Sequence, residues 1–332
     1  MSFKWMGLSL VIALLAGAAV AFGVSSSTML SLLTQAIIYA VFALGVGVLL
    51  RQNGMVSFGH ALYFGCSGYI VGILMQLNLM PAEVAMLATL LITAVAAFVI
   101  GLIIVRVPGV AFSMLTLAIG QMIYLTASRS RGLTGGADGL NIQWPATLFG
   151  VPQAQLLQPV TIFLVCWCTL LAVIVLLFLL LRGRFGGITE ATRDNEERAR
   201  FIGIRTLWPR AAVYALSATV TAVAGLLSAL NTGFVSPESL DWSVSGVALM
   251  MVVIGGYKTL WGPALGAVIY FFAKDILGDF ADHWMAIFGI ALIAVIVFSP
   301  TGIAGLLQHW LRPKAARSRA REVAAPGASR HG

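Results

Sequence analysis

QPVTIFLVCWCTLLAVIVLLFLLL, residues 158–181, runs directly into RGRFGGITEATRDNEERARFIGIRTLWPR, residues 182–210. The first stretch holds no charged residue and is long enough to cross a bilayer. About 20 residues at 1.5 Å rise span roughly 30 Å of hydrocarbon. The second stretch is the only long hydrophilic segment between apolar runs. The junction therefore reads as a membrane helix emptying into a polar loop. The same apolar pattern recurs on both sides, at about 6–24, 29–50, 54–77, 83–105 and 109–127, then at 211–231, 242–256, 262–278 and 284–299. Soluble domains are about 45–50% apolar and about 25% charged. This chain of 332 residues is 60% hydrophobic and 10% charged, with a mean hydropathy of +0.97. The expected fold class is all-α: a polytopic transmembrane bundle of about ten spans, some broken or partly inserted.

A net charge of +8 could serve nucleic acid, but its placement argues otherwise. Basic residues sit at the ends of apolar runs, in the loop 182–210 and in the tail 312–332. With Lys4 inside, alternation puts Arg51, Arg106, the loop 182–210, Lys258 and the tail on the cytoplasmic face. Of the 20 Lys and Arg, only Arg129, Arg131 and Lys274 fall elsewhere. That bias fixes orientation in helical membrane proteins, so both termini are expected to be cytoplasmic. Residues 1–311 are read as the membrane domain and 312–332 as a disordered basic cytoplasmic tail near anionic lipid. Lys4 followed by an apolar run to Val24 resembles a secretory leader. The run exceeds the usual core of about 7–15 residues, so a retained first span is the reading and cleavage the alternative. Cys66, Cys166 and Cys168 all lie in apolar segments, with neither disulfide nor zinc spacing.

Two segments are weak spans. Segment 54–77 carries Ser57, Gly59, His60, Gly65, Ser67 and Gly68, and segment 242–256 ends in Gly255-Gly256. Such residues fit backbone that faces protein or a water-lined path. In the polar loop, a short helix is expected from Glu190 to Ile202. Thr189 is its N-cap candidate, Gly203 its left-handed terminator, and Glu196–Arg200 an i,i+4 pair for about 0.3 kcal/mol. The helix is either a solvated connector or a docking element whose displacement tilts the spans it joins.

The residues of this loop resemble those of a known family. Gly183-Arg184, Ala191-Thr192-Arg193-Asp194-Asn195-Glu196, Ala199 and Gly203-Ile204 are similar to the cytoplasmic loop of branched-chain amino acid ABC permeases. Glu197 to Gly203 resembles the EAA-xxx-G pattern of importer permeases, with Arg198 in place of alanine and Thr192 where an apolar residue is usual. Gly54-Met55-Val56-Ser57-Phe58-Gly59-His60-Ala61, Leu133-Thr134-Gly135-Gly136-Ala137-Asp138-Gly139-Leu140, Phe234 to Ser239, and Gly255-Gly256 with Leu260-Trp261-Gly262-Pro263-Ala264-Leu265-Gly266 also match. The likeness covers about residues 30–305 and points to the longer, M-type subunit.

The resemblance implies a bacterial inner-membrane importer. It would contain a second permease subunit, two cytoplasmic ATP-binding subunits and an extracytoplasmic solute-binding protein. The chain has no GxxxxGK[ST] phosphate loop, so ATP belongs to a partner. No cofactor, metal or catalytic residue is expected here. Ala191, Arg193, Asp194, Asn195, Glu196, Ala199, Phe201, Ile202 and Gly203 would form the ATPase-coupling helix. Gly135, Gly136, Asp138, Pro237 and Glu238 would face the binding protein. For the solute path or gate, Ser57, Gly59, His60 and Gly68 are the candidates, since an intramembrane ionisable residue suggests function. The competing reading makes His60 a packing residue. Rival functions are an ion-coupled secondary transporter, which predicts midplane ion ligands, and a membrane scaffold or enzyme. An importer of urea, amides or aromatic acids is the nearer alternative.

Overall fold

The computed structural model describes residues 3–280 apart from 25, 79, 108 and 149, together with 289–290, 293 and 302–311. Most of the tenth apolar segment and the whole tail 312–332 lie outside the described residues. The chain is predominantly helical. Helix α1 (Phe3–Gly23) is followed by α2 (Ser27–Asn53), α3 (His60–Gln76), α4 (Ala82–Ile104) and α5 (Val110–Arg129). A loop region holds α6 (Arg131–Thr134), strands β1 (Leu140–Asn141), β2 (Thr147–Leu148) and β3 (Val151–Pro152), and α7 (Gln153–Leu156). Then come α8 (Pro159–Arg182), α9 (Arg184–Asp194), α10 (Glu196–Phe201), α11 (Leu207–Thr232), β4 (Phe234–Val235), a 3₁₀ turn (Pro237–Leu240), α12 (Trp242–Gly255) and α13 (Gly262–Phe280). Among the described residues, α2, α4, α5, α8 and α11 are long and apolar enough to cross a membrane. Helices α3 and α12 are shorter, at 17 and 14 residues.

Burial sorts these helices into a centre and a rim. The apolar windows of α2 and α11 are each 78% buried, against 28% for α4, 28% for α5 and 22% for α8. Helices in lipid gain little from excluding water, so close packing of small residues must hold them. The central pair meets that requirement. Ala36, Ala40 and Ala43 of α2 and Ala211, Ala218 and Ala222 of α11 are fully buried. The α3–α11 contact is tighter still: a Cβ at Gly225 would overlap the carbonyl oxygen of Phe64. At α12–α13, a Cβ on Gly255 would strike Gly262 O, and one on Gly266 would strike Met251 O. The Gly255-Gly256…Gly262…Gly266 motif is thus a close-approach device.

Outside the bundle, β1 pairs antiparallel with β4, Leu140 opposite Val235 and Asn141 opposite Phe234. This ladder fastens the long 128–157 loop to the α11–α12 connection. A second small ladder joins β2 and β3.

Candidate functional site

The polar loop folds as two helices rather than the single helix expected from Glu190 to Ile202. Asn195 breaks the run with extended backbone (φ −157°, ψ 102°), and its side chain caps α10 by accepting from Arg198 N–H. Its short side chain competes for backbone donors, which favours caps over helix interiors. Thr189 is correspondingly not an N-cap. It lies inside α9, buried, with its hydroxyl 2.7 Å from Gln52 Oε1 on α2. Gly203 does take positive φ, 87°.

These helices are bolted to the two central ones. The Arg193 guanidinium donates to Arg51 O at the end of α2 (2.6 Å) and to Asp194 (2.7 Å). Asn53 Nδ2 donates to Arg210 O on α11 (3.0 Å). Glu196 receives Arg210 (2.5 Å), Arg200 (2.6 Å) and the Thr206 hydroxyl (2.9 Å). Burial alone would raise the Glu196 carboxyl. The Thr206 hydrogen bond and the Arg210 and Arg200 charges outweigh it, leaving the pKa below the ordinary glutamate value. Glu196 is therefore an internal brace. Ala199 is buried beneath α10, whereas Phe201 and Ile202 are 89% and 71% exposed. Ala191, Asp194 and Asn195 are exposed, and Arg193 partly so.

Of the four proposed path residues, Ser57, Gly59 and His60 form one buried node. The segment 54–59 is not helical, and hydroxyls take up backbone groups within it and at the start of α3. Ser113 donates to Val56 O (2.6 Å), Phe58 N–H to Thr116 Oγ1 (3.3 Å), and Ala61 N–H to Ser245 Oγ (2.7 Å). Irregular backbone inside a membrane bundle is tolerated only with such partners. His60 is fully buried between Ser57 Oγ at Nδ1 (2.8 Å) and Ser217 Oγ at Nε2 (2.7 Å). The Ser217 hydroxyl donates to Gly45 O (2.6 Å), so its proton is committed. The network assigns a neutral ring that donates from Nε2 and accepts at Nδ1. Both ring nitrogens are occupied, and the ring joins α3 to α11 and, through Ser217, to α2. His60→Ala leaves the Ser57 hydroxyl proton without its acceptor and removes the donor to Ser217 Oγ, while Ser217 keeps its own bond to Gly45 O. A cost of about 2–4 kcal/mol follows from unsatisfied groups and the vacated volume. It is expected as a lowered melting temperature of the solubilised protein, with His60→Asn recovering part of it.

Gly68 lies elsewhere. It lines a cavity of about 320 Å³ near the β4 end of α11, together with Tyr39, Phe64, Ser228, Ser236 and Glu238. The β1–β4 ladder brings the two outer-loop candidates together: Gly135, Gly136 and Asp138 on one side, Pro237 and Glu238 on the other. Thr134 organises the glycine turn, its hydroxyl 2.6 Å from Ala127 O. A side chain at Gly135 (φ 75°) would run into Gly139 O.

The site thus consists of a central cluster of hydroxyls, two short helices fastened to the central pair, and two loops joined by a β ladder. The model of the family described as "Branched-chain amino acid transport system / permease component" matches residues 28–296. The chain belongs to this family. It is a permease component of an ABC-type transport system and a multi-pass protein of the bacterial inner membrane. It is 25% identical to the high-affinity branched-chain amino acid transport system permease protein LivM of Escherichia coli (strain K12), over 92% of this chain and 77% of that protein. It is 24% identical to the LivM of Salmonella typhimurium, over 87% and 73%. The autoinducer 2 import system permease protein LsrC of Salmonella paratyphi B is 27% identical over 88% and 84%. No solved structure matches the chain.

Within this permease, sequence reasoning passed over Arg210 and Thr206 as partners of Glu196, and Ser113, Thr116, Ser217 and Ser245 as partners of the 54–61 segment. Hydroxyl residues standing alone inside apolar runs were the available signal.

Proposed function

We propose that this chain is one of two permease subunits of a binding-protein-dependent importer of branched-chain amino acids. It crosses the membrane about ten times with both termini in the cytoplasm. The loop 182–210 docks on a separate ATP-binding subunit, two of which drive the complex, and a solute-binding protein delivers the solute to the opposite face. The chain itself binds no cofactor and hydrolyses no ATP. The observation that carries this reading is the fastening of α9 to Arg51 and Gln52 of α2 and of α10 to Arg210 of α11, whose carbonyl is in turn held by Asn53 of α2. A force applied to the exposed Phe201–Ile202 end has to tilt the two most buried helices. A solvated connector has no need of such attachment. The likeness to LivM favours branched-chain amino acids, while LsrC marks the breadth of solutes among relatives.

Co-expression with the cognate ATP-binding and second permease chains should yield one complex. In proteoliposomes it should take up leucine only with ATP and the binding protein. Leucine uptake by this chain without any ATPase would refute the importer reading and favour the ion-coupled alternative.

A further inference from the structure

The cavity at the β4 end of α11 stands far from the coupling helices. Helix α11 has 26 residues, so its ends are about 39 Å apart at 1.5 Å per residue. One end meets α9 and α10, and the other opens into the cavity. At about 320 Å³ the cavity is at the small end of ligand pockets, which run from about 300 to 1,000 Å³. That size admits a single small amino acid.

Its walls have a defined chemistry. Phe64, Ala229, Val235 and Val244 supply apolar surface, and Tyr39 lies against Phe64 with ring centroids 5.8 Å apart. Gly68 and Gly225 also line the cavity. The rim carries hydroxyls. Thr232 and Ser239 already donate within the loop, to Phe234 O and Ser236 O. Among the described residues, the Ser228 and Ser236 hydroxyls make no protein hydrogen bond. Glu238 lies at the rim, exposed, and its carboxylate has no cationic or hydrogen-bonding partner among the described residues. Its neighbour Asp241 is used structurally, accepting from Ser243 N–H at the start of α12 (2.9 Å). Glu238 has no such duty. Among the described residues, no Lys, Arg or His lines the cavity.

We propose that this cavity is the solute's first station on the permease, with Glu238 receiving the ammonium group and the Phe64–Val244 wall receiving a short apolar side chain. The assignment rests on the importer reading and names its site and selectivity. A lone carboxylate favours a cationic group and repels an anionic one. The solute's own carboxylate therefore points out of the cavity, whose described lining offers it no cation. Holding only one end of a zwitterion makes the site weak, as a passage that must release its cargo requires.

The test uses the complete complex in proteoliposomes with its binding protein and labelled L-leucine. Three readouts are taken: uptake, affinity of the binding protein for the complex, and ATP hydrolysis stimulated by the binding protein. A hydrogen bond to a charged group is worth about 1.5–3 kcal/mol, so Glu238→Gln should slow uptake about tenfold or more. Docking and stimulated hydrolysis should stay near the unmodified values. Glu238→Asp should restore much of the uptake, and Ser228→Phe, which fills the cavity, should block it while leaving docking intact. Uptake at the unmodified rate in Glu238→Gln overturns the assignment and leaves the importer reading standing. Parallel loss of docking and uptake also overturns it, making Glu238 a contact for the binding protein. An unmodified complex that takes up no leucine removes the importer reading and this assignment together.

Discussion

Gly225→Leu leaves no properly packed bundle. A Cβ at residue 225 would overlap Phe64 O and Ser67 Oγ and stand 2.8 Å from Phe64 C. Two of those atoms are backbone and cannot rotate away, so α3 itself has to retreat from α11. Retreat breaks the contacts that locate α3: His60 Nε2 to Ser217 (2.7 Å), Ala61 N–H to Ser245 (2.7 Å) and Tyr63 OH to Tyr214 OH (3.0 Å). Overpacking alone costs about 1–3 kcal/mol, and each lost hydrogen bond adds about 1 kcal/mol. Together these approach the whole stability of a domain, about 5–15 kcal/mol. The solubilised variant should lose its monodisperse elution in size-exclusion chromatography. Gly68→Ala is the control on the same helix. Its Cβ would meet side-chain atoms and no backbone, Val235 Cγ2 at 3.0 Å, Val235 Cβ at 3.3 Å and Ala229 Cβ at 3.7 Å, and this variant should elute as the unmodified chain does. Gly225→Leu eluting normally would contradict the α3–α11 spacing described above.

What the sequence disclosed, and what it hid, follows from the same packing. Apolar runs and charge placement announce a membrane bundle because lipid imposes length and polarity on each helix separately. The glycine pairs at 255–256 and 262–266 and the Thr134–Gly139 turn are legible as motifs, and the structure supplies their reasons in close approach and positive φ. The break at Asn195 was hidden, since Glu190 to Ile202 reads as one helix until the Asn side chain takes Arg198 N–H. Thr189 was misread for a related reason. A threonine before a charged helix looks like a cap, but its partner Gln52 lies 137 positions away, beyond any local pattern. His60 attracted a functional reading because imidazole in an apolar run is rare. Its meaning depended on Ser217, 157 residues on. The cavity was hidden altogether, since Tyr39, Gly68, Ser228 and Glu238 come from separate elements.

Phe201→Ser combined with Ile202→Ser is expected to abolish uptake while leaving the bundle as stable as before. The two side chains are 89% and 71% exposed, so the fold loses almost no buried area when they are cut. Ala199, 2% exposed, marks the contrasting face of α10 that does hold it to the rest. Burying a large apolar side chain against a partner contributes about 1.5–3 kcal/mol. Losing two weakens the proposed contact with the ATP-binding subunit about 10²- to 10⁴-fold. The variant should therefore purify without that subunit and keep its melting temperature. Glu196→Gln separates docking from transmission. It leaves the apolar end intact but removes the charge that holds Arg210 of α11 and Arg200 of α10. That variant should retain the ATP-binding subunit and hydrolyse ATP with reduced leucine uptake, because force arriving at α10 reaches α11 through a slacker joint. Equal loss of the subunit in both variants would mean that Glu196 belongs to the docking surface. Retention of the subunit by the double serine variant would move the docking surface away from Phe201 and Ile202.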